Sequence, residues 1–297
     1  MKPPRFTYHD PVARNETLAL LDTYGDDAKV LAGGQSLMPL LNMRLAQPAH
    51  LVDINHLSDL AYIREQDGGL TIGALTRQRD VERSPLIRQR CPLLAEAIRL
   101  VGHPPIRSRG TVCGSLAHAD PAAELPAVLL ALGGYVRAES CAGVRTIPAA
   151  AFFLDQLLTA LTPKELLTEA WFPTAPPRSG AAFIEISRRH GDYALAGVAA
   201  QITLSADGSV VAANLALIGV GVTPVRASAA ETLLIGERPG EAIFTAAGRQ
   251  ASANLDPFTD IHASAAYRRY VAGVLVSRAL TIAAERAAGP LTAEATH

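Results

Sequence analysis

Two short stretches carry the residue types that could do chemistry. The first is Ala32-Gly33-Gly34-Gln35-Ser36, entered from Val30-Leu31. The second is Thr111-Val112-Cys113-Gly114-Ser115, entered from Arg109-Gly110. Their serines lie 79 residues apart, and each is followed by an apolar, helix-like run. Glycine admits positive φ and lets a ligand approach the main chain without a Cβ in the way. Successive N–H groups can then converge on an oxyanion, and a following helix adds unpaired donors. Two such loops could hold the two phosphates of a dinucleotide from opposite sides. Neither is a G-x-x-x-x-G-K-[ST] loop and neither matches G-x-G-x-x-G, which disfavours a nucleotide-hydrolase or Rossmann reading. The same residues also suit ordinary strand-to-helix turns, so loop chemistry alone names no ligand.

Other reactive types are sparse. The three cysteines, Cys91, Cys113 and Cys141, are far apart and form no C-x-x-C pair. The eight histidines form no H-x-x-x-H pair, so no metal or iron–sulfur site is expected within this chain. His118 and His190 are proton handlers by type, but their spacing selects neither. Arg107 and Arg109 precede the second loop and could steer an anion or face a partner, although a solvated surface is the commoner fate.

The elements that must position the loops follow from pattern. Asn15 caps a first helix that Gly25 stops. Strands are expected at Ala28–Ala32 and His50–Ile54, with a short helix between them capped by Ser36 and ended near Pro48. Asp67-Gly68-Gly69 reads as a hairpin turn. Residues 76–100 read as short helices punctuated by Pro85 and Pro92, 124–132 as a helix, and 134–138 and Glu165–Phe172 as strands. The proline-rich run Pro173–Gly180 is the best linker. Beyond it come three strands and then helices around 227–235, 240–253 and Ala265–Ala288, a separate α+β domain. The expected division is 1–176, with subdomains of about 1–56 and 57–176, and 177–297.

With 297 residues, 49% hydrophobic and 19% charged, the chain can build two cores. A net charge of −1 favours neither nucleic acid nor an anionic membrane. No apolar run reaches the roughly 18–20 residues of a membrane span. The first residues lack a signal-peptide core, so a cytoplasmic protein is the expectation.

The paired segments "AGGQSLMPLLNMRLAQPAHLVDI" and "IRSRGTVCGSLAHADPAAELPA" resemble the two signature loops of the FAD-binding medium subunits of molybdenum hydroxylases, the carbon monoxide dehydrogenase and xanthine dehydrogenase family. The start "PPRFTYHDP" and the segment "SRRHGDYALAGVA" fit the same family. The resemblance implies an α+β chain: a two-subdomain FAD-binding domain like that of p-cresol methylhydroxylase, then a C-terminal domain with a three-stranded antiparallel sheet and helices. It implies that Leu31, Ala32, Gly33, Gly34, Gln35 and Ser36 form one pyrophosphate loop and Thr111, Val112, Cys113, Gly114 and Ser115 the other. It places an acidic contact at Asp120 and Glu124, a backbone bordering the adenine at Leu167, and an aromatic cover for the flavin at Tyr193. Cys113 stands where the family usually has the first of two glycines in the second loop, so either a thiol sits by the cofactor or a small residue is tolerated there. The implied role is electron transfer, in a dimer of heterotrimers with a large molybdopterin subunit and a small [2Fe–2S] subunit. No catalytic acid or base is assigned in this chain. A flavin-free assembly module and a stand-alone flavin reductase are the competing functions.

Overall fold

A computed structural model of the chain describes residues 2–289. It divides into two units, one holding the residues up to Arg90 together with Val101–Asp120 and Gly133–Pro173, the other holding Cys91–Leu100, Pro121–Leu132 and the described residues from Thr174 on.

The first unit carries two main sheets. Strands β1 (Thr7–His9), β2 (Ala28–Leu31) and β3 (His50–Asp53) form a parallel sheet in the order β1-β3-β2. Parallel strands need crossovers, and the helices Arg14–Tyr24 and Leu37–Asn42 lie in them. Gly25 ends the first helix with φ +47°, as its position suggests. Asn15 does not cap that helix: Ala13 holds the N-cap position, and the Glu16 carboxylate accepts from the Val12 N–H at 3.2 Å. The first glycine loop leaves the C-terminal end of β2, the end at which parallel α/β sheets commonly bind ligands.

The second sheet of this unit is antiparallel. Strands β4 (Ile63–Gln66), β5 (Gly69–Gly73), β6 (Tyr135–Ser140) and β7 (Gly143–Pro148), with β10 (Leu166–Pro173), run in the order β4-β5-β10-β6-β7. The β4–β5 turn has φ +54° at Asp67 and +72° at Gly68, a primed turn whose twist suits a hairpin. A small ribbon, β8 (Phe153–Asp155) with β9 (Leu158–Thr159), completes the strands of this unit. Helices Gln78–Arg83 and Pro85–Arg90 bear out the proline punctuation. Pattern reading missed β1, which is only three residues, and β7, an almost wholly exposed edge.

In the second unit, β11 (Ser179–Ile186), β12 (Ala196–Leu204) and β13 (Val210–Ile218) form the expected antiparallel sheet, extended by a two-residue edge strand, β14 (Val225–Arg226). Helices Ser228–Leu234, Glu241–Ala253 and Ala265–Ala288 share a core with one face of this sheet. Two helices from early in the chain, Pro92–Ala97 and Glu124–Leu132, pack against the same sheet. Strand β12 is buried along all but one of its residues, which explains its near-continuous apolar sequence.

The two last helices cross where Gly248 meets Gly273; a Cβ on Gly248 would lie 2.3 Å from the Gly273 carbonyl oxygen. Gly248→Ala is therefore expected to lower the unfolding free energy of the chain by about 1–3 kcal/mol in denaturant titration. A second expectation concerns Glu185 on β11, whose Oε2 is buried with no hydrogen-bond partner. Burial pushes its carboxyl up to about 7. A raised carboxyl stabilises the fold below the ordinary carboxylate range, and that stability is lost as pH climbs from about 4.5 to about 7. Glu185→Gln should abolish this decline and, at pH 8, raise stability by about 1–3 kcal/mol, as thermal melts across pH would show.

Candidate functional site

Both glycine loops lie in the first unit, and the structure sets them side by side. Gly33 is buried against the backbone that enters the second loop. A Cβ at Gly33 would stand 2.5 Å from the Arg109 carbonyl oxygen and 2.8 Å from Gly110 Cα. No other residue type fits that contact. Gly34 has φ +71°, which reverses the chain into the helix Leu37–Asn42. The Gly34 carbonyl accepts from the Met38 N–H at 3.0 Å, and the Gln35 side-chain amide donates to the Gly33 carbonyl at 3.1 Å.

The donors of this loop stay uncommitted. Among the described residues, the N–H groups of Gly34, Gln35, Ser36 and Leu37 find no intramolecular acceptor. Ser36 stands at the N-cap position in helical conformation and makes no side-chain cap bond, which corrects the expected cap. Its hydroxyl is left available along with the four amides.

The second loop is built differently. Thr111 is extended, forms a single antiparallel bridge with Arg77, and caps the helix Val112–His118 by accepting from the Gly114 N–H at 3.0 Å. Gly114 must lack a Cβ, which would fall 2.6 Å from Thr111 Oγ1. Gln78 N–H donates to the Gly110 carbonyl at 2.9 Å, and Val112 N–H to the Thr76 carbonyl at 3.3 Å, so the loop is pinned to the end of β5. Cys113 is 2% exposed and its thiol donates toward the Ile72 carbonyl at 3.5 Å. Its φ is not positive, so a glycine is not required there. Burial pushes the thiol well above its ordinary range, with the Glu169 carboxylate adding to the shift. Buried and protonated, this cysteine behaves as a small packing residue.

Asn55 and Arg77 join the two loops, and sequence reading singled out neither. Asn55 Nδ2 donates to the Ala32 carbonyl at 2.9 Å. Arg77 donates to Asn55 Oδ1 at 2.6 Å through Nη2 and to the Arg109 carbonyl at 2.6 Å through Nη1. Asp53 Oδ1 accepts from the Asn55 backbone N–H at 2.9 Å and from Asn55 Nδ2 at 2.5 Å, fixing that side chain from behind. The available signal was position: Asn55 follows the end of β3 and Arg77 lies just past the end of β5. Arg107, by contrast, neither steers nor is solvated. It is 6% exposed, pairs with Glu82 at 2.9 and 3.0 Å, and donates to the Val101 and Gly102 carbonyls.

The remaining expected residues are spread more widely. Leu167 is buried on β10 at a bulge, and the next carbonyl, of Thr168, accepts from the Ala74 N–H at 2.8 Å. His118 ends the helix of the second loop; burial pushes its imidazole down, partly offset by the Asp120 carboxylate. Asp120 closes the second segment of the first unit. Glu124 and Tyr193 belong to the second unit: Glu124 opens the helix Glu124–Leu132 and is 8% exposed, while Tyr193 is 65% exposed on the β11–β12 loop. Among the described residues no cluster of histidine, cysteine, aspartate or glutamate could hold a metal ion, and no helix is long and apolar enough to cross a membrane.

Comparison with known proteins gives this geometry its context. The family described as FAD binding domain in molybdopterin dehydrogenase matches residues 4–175, and the CO dehydrogenase flavoprotein C-terminal domain matches residues 181–283. The 6-hydroxypseudooxynicotine dehydrogenase complex subunit alpha of Paenarthrobacter nicotinovorans is 46% identical over 97% of both chains. The carbon monoxide dehydrogenase medium chain of Hydrogenophaga pseudoflava is 39% identical over 97% of this chain and 100% of its own length. A solved structure of carbon monoxide dehydrogenase from the same organism, in a form lacking the Mo-pyranopterin moiety of the molybdenum cofactor, superposes with a TM-score of 0.93 at 40% identity, over 96% of this chain and 99% of that one. The chain belongs to the family of FAD-binding medium subunits of molybdenum hydroxylases, the family of the carbon monoxide dehydrogenase medium chains.

Proposed function

We propose that the two glycine loops grip the diphosphate of FAD between them, and that this chain is the electron-relay subunit of a three-chain oxidoreductase. The observation that carries the reading is the backbone contact of Gly33 with Arg109–Gly110, which sets two separate loops next to each other. The residues fit a diphosphate. Four uncommitted amides and the Ser36 hydroxyl supply donors on one side. On the other side the Val112, Gly114 and Ser115 N–H groups are held by internal acceptors, so the Thr111 and Cys113 N–H groups and the Ser115 hydroxyl are the donors offered there. The Arg77 guanidinium stands between the loops and adds positive charge, though burial and the neighbouring Arg109 cation push its pKa below the ordinary value. Asp120, Glu124, Leu167 and Tyr193 are assigned to the rest of the cofactor on the family resemblance. The chemistry FAD supplies when bound is the relay of electrons from [2Fe–2S] clusters on a small partner subunit to an external acceptor. The chain's own task is to hold, orient and shield.

The partners follow from the relatives. One is named as a subunit of a dehydrogenase complex and another as a medium chain. A large molybdopterin subunit and a small iron–sulfur subunit are the matching set here, arranged as a dimer of heterotrimers. Cys113, the residue that raised a flavin-free module as an alternative, packs toward Ile72 and gives that alternative no support.

Two measurements test this reading. In the purified complex, Gly33→Ala is expected to weaken FAD binding by about tenfold or more, because the methyl would force the two loops apart. Cys113→Ala should keep its FAD, since the thiol faces the sheet. Full flavin content in the Gly33→Ala complex would refute the two-loop grip. Removal of FAD from the wild-type complex should leave substrate-dependent bleaching of the iron–sulfur clusters intact while abolishing reduction of the external acceptor. Undiminished acceptor reduction would exclude the relay.

A further inference from the structure

The second unit contains a buried arginine that neither the glycine loops nor the resemblance uses. Arg268 lies in the first turn of the helix Ala265–Ala288 and is 3% exposed. Its Nη1 donates to the Leu195 carbonyl at 2.6 Å and to the Gly219 carbonyl at 3.3 Å. Its Nη2 donates to Asp260 Oδ2 at 2.8 Å, and its guanidinium lies 5.3 Å from the centre of the Phe258 ring. Nε is buried with no partner. Burying a cation at this depth is costly, and an apolar side chain would pack the site more cheaply. What an apolar residue could not do is bond three separate chain segments at once, which the planar fork of arginine does.

Those segments are informative. Leu195 ends the β11–β12 loop two residues after Tyr193, and its N–H donates to the Ile186 carbonyl at 2.8 Å, closing the loop at its base. Gly219, with φ +71°, presses directly on that base: a Cβ there would lie 2.6 Å from the Leu195 carbonyl oxygen and 3.0 Å from that of Ala194. The Gly219 N–H donates to the Pro121 carbonyl at 2.9 Å, three residues before Glu124. Asp260 Oδ1 accepts from the His262 and Ala263 N–H groups at 2.8 and 2.9 Å, which stiffens the third segment. Desolvation acts to raise the Asp260 carboxyl, but these N–H donors and Arg268 hold it at about 2, so the carboxylate stays charged at any working pH. A second tie joins the same two loops, since Arg188 Nη1 lies 2.9 Å from His262 Nδ1.

We infer that Arg268, acting with Asp260 and Gly219, is a positioning residue for the flavin: it clamps the base of the loop that carries Tyr193 and fixes that loop relative to the Pro121–Glu124 segment. The inference rests on the proposed placement of Tyr193 at the flavin. It makes the conformation of an exposed loop depend on a buried guanidinium held by a carboxylate at the surface, so that Tyr193 meets the cofactor already oriented rather than ordered by it.

The test uses the assembled complex with Tyr193→Ala, Arg268→Met, the double variant, and Asp260→Asn as the milder change. Loop order is read by tryptic cleavage at the exposed Arg188 and Arg189, and the effect on the flavin by its midpoint potential. Arg268→Met is expected to speed cleavage by about fivefold or more. It should also shift the potential in the same direction as Tyr193→Ala, and the double variant should shift it no further than Tyr193→Ala alone. Asp260→Asn should show the same pattern, smaller, and decides the matter if Arg268→Met does not fold. If Tyr193→Ala shifts the potential while both Arg268→Met and Asp260→Asn leave it and the cleavage rate unchanged, the clamp is refuted and the flavin reading survives. Additive shifts in the double variant also refute it. If Tyr193→Ala leaves the potential unchanged, the placement of Tyr193 fails, and the positioning role falls with it.

Discussion

The site depends on one backbone contact. Gly33 has no side chain, and that absence lets the end of β2 lie flat against Arg109–Gly110. Hydrogen bonds of Asn55 and Arg77 then lock the contact, joining the Ala32 carbonyl on one loop to the Arg109 carbonyl on the other. Each carbonyl is thus satisfied inward, and the amides that follow in the first loop are left without intramolecular acceptors. A surface that spends its acceptors on structure and keeps its donors is suited to an anion. Under the proposed function, a preference for negative charge would come from this arrangement of backbone groups more than from net charge, which is close to zero for the chain.

The two loops reach the same end by different local means. In the first, positive φ at Gly34 turns the chain, and the helix that follows is left uncapped by any side chain. In the second, Thr111 caps its helix and Gly114 makes room for the cap. This difference explains why Cys113 is acceptable. The residue lies inside a helical turn with its side chain directed to the Ile72 carbonyl, so its Cβ projects toward the sheet. A similar sequence pattern therefore hides two unlike structures, and only the first loop requires both of its glycines.

The second unit is organised around a sheet with both faces covered. Strand β12 is apolar over nearly its whole length because helices pack on either side of it. Small residues let those helices approach closely, as at the Gly248–Gly273 crossing. Against that tight, dry core the buried charge of Arg268 stands out, and its three acceptors are all at the end of the sheet from which the Tyr193 loop projects. Glu185, half-buried with one oxygen lacking a partner, is another polar group set against this apolar interior, alongside the buried Glu124, Gln201 and Glu231.

The sequence by itself determined the local elements and the residue types of both loops. Periodicity and punctuation sufficed for the long helix Ala265–Ala288, the Asp67-Gly68 hairpin and the proline-separated helices, because each is governed by contacts within a few residues. Side-chain caps were less legible: Asn15 and Ser36 have the right chemistry, yet tertiary packing set the helix starts and left both without a capping bond. What only the tertiary structure decided were the long-range partnerships. Arg77 meets Arg109 across 32 positions, Arg268 meets Leu195 across 73, and Arg107 is drawn inward to Glu82. An arginine's stem is long and its donors are many, so sequence alone cannot say which carbonyls it will find. That choice is made when distant segments are packed together and most buried polar groups find a partner.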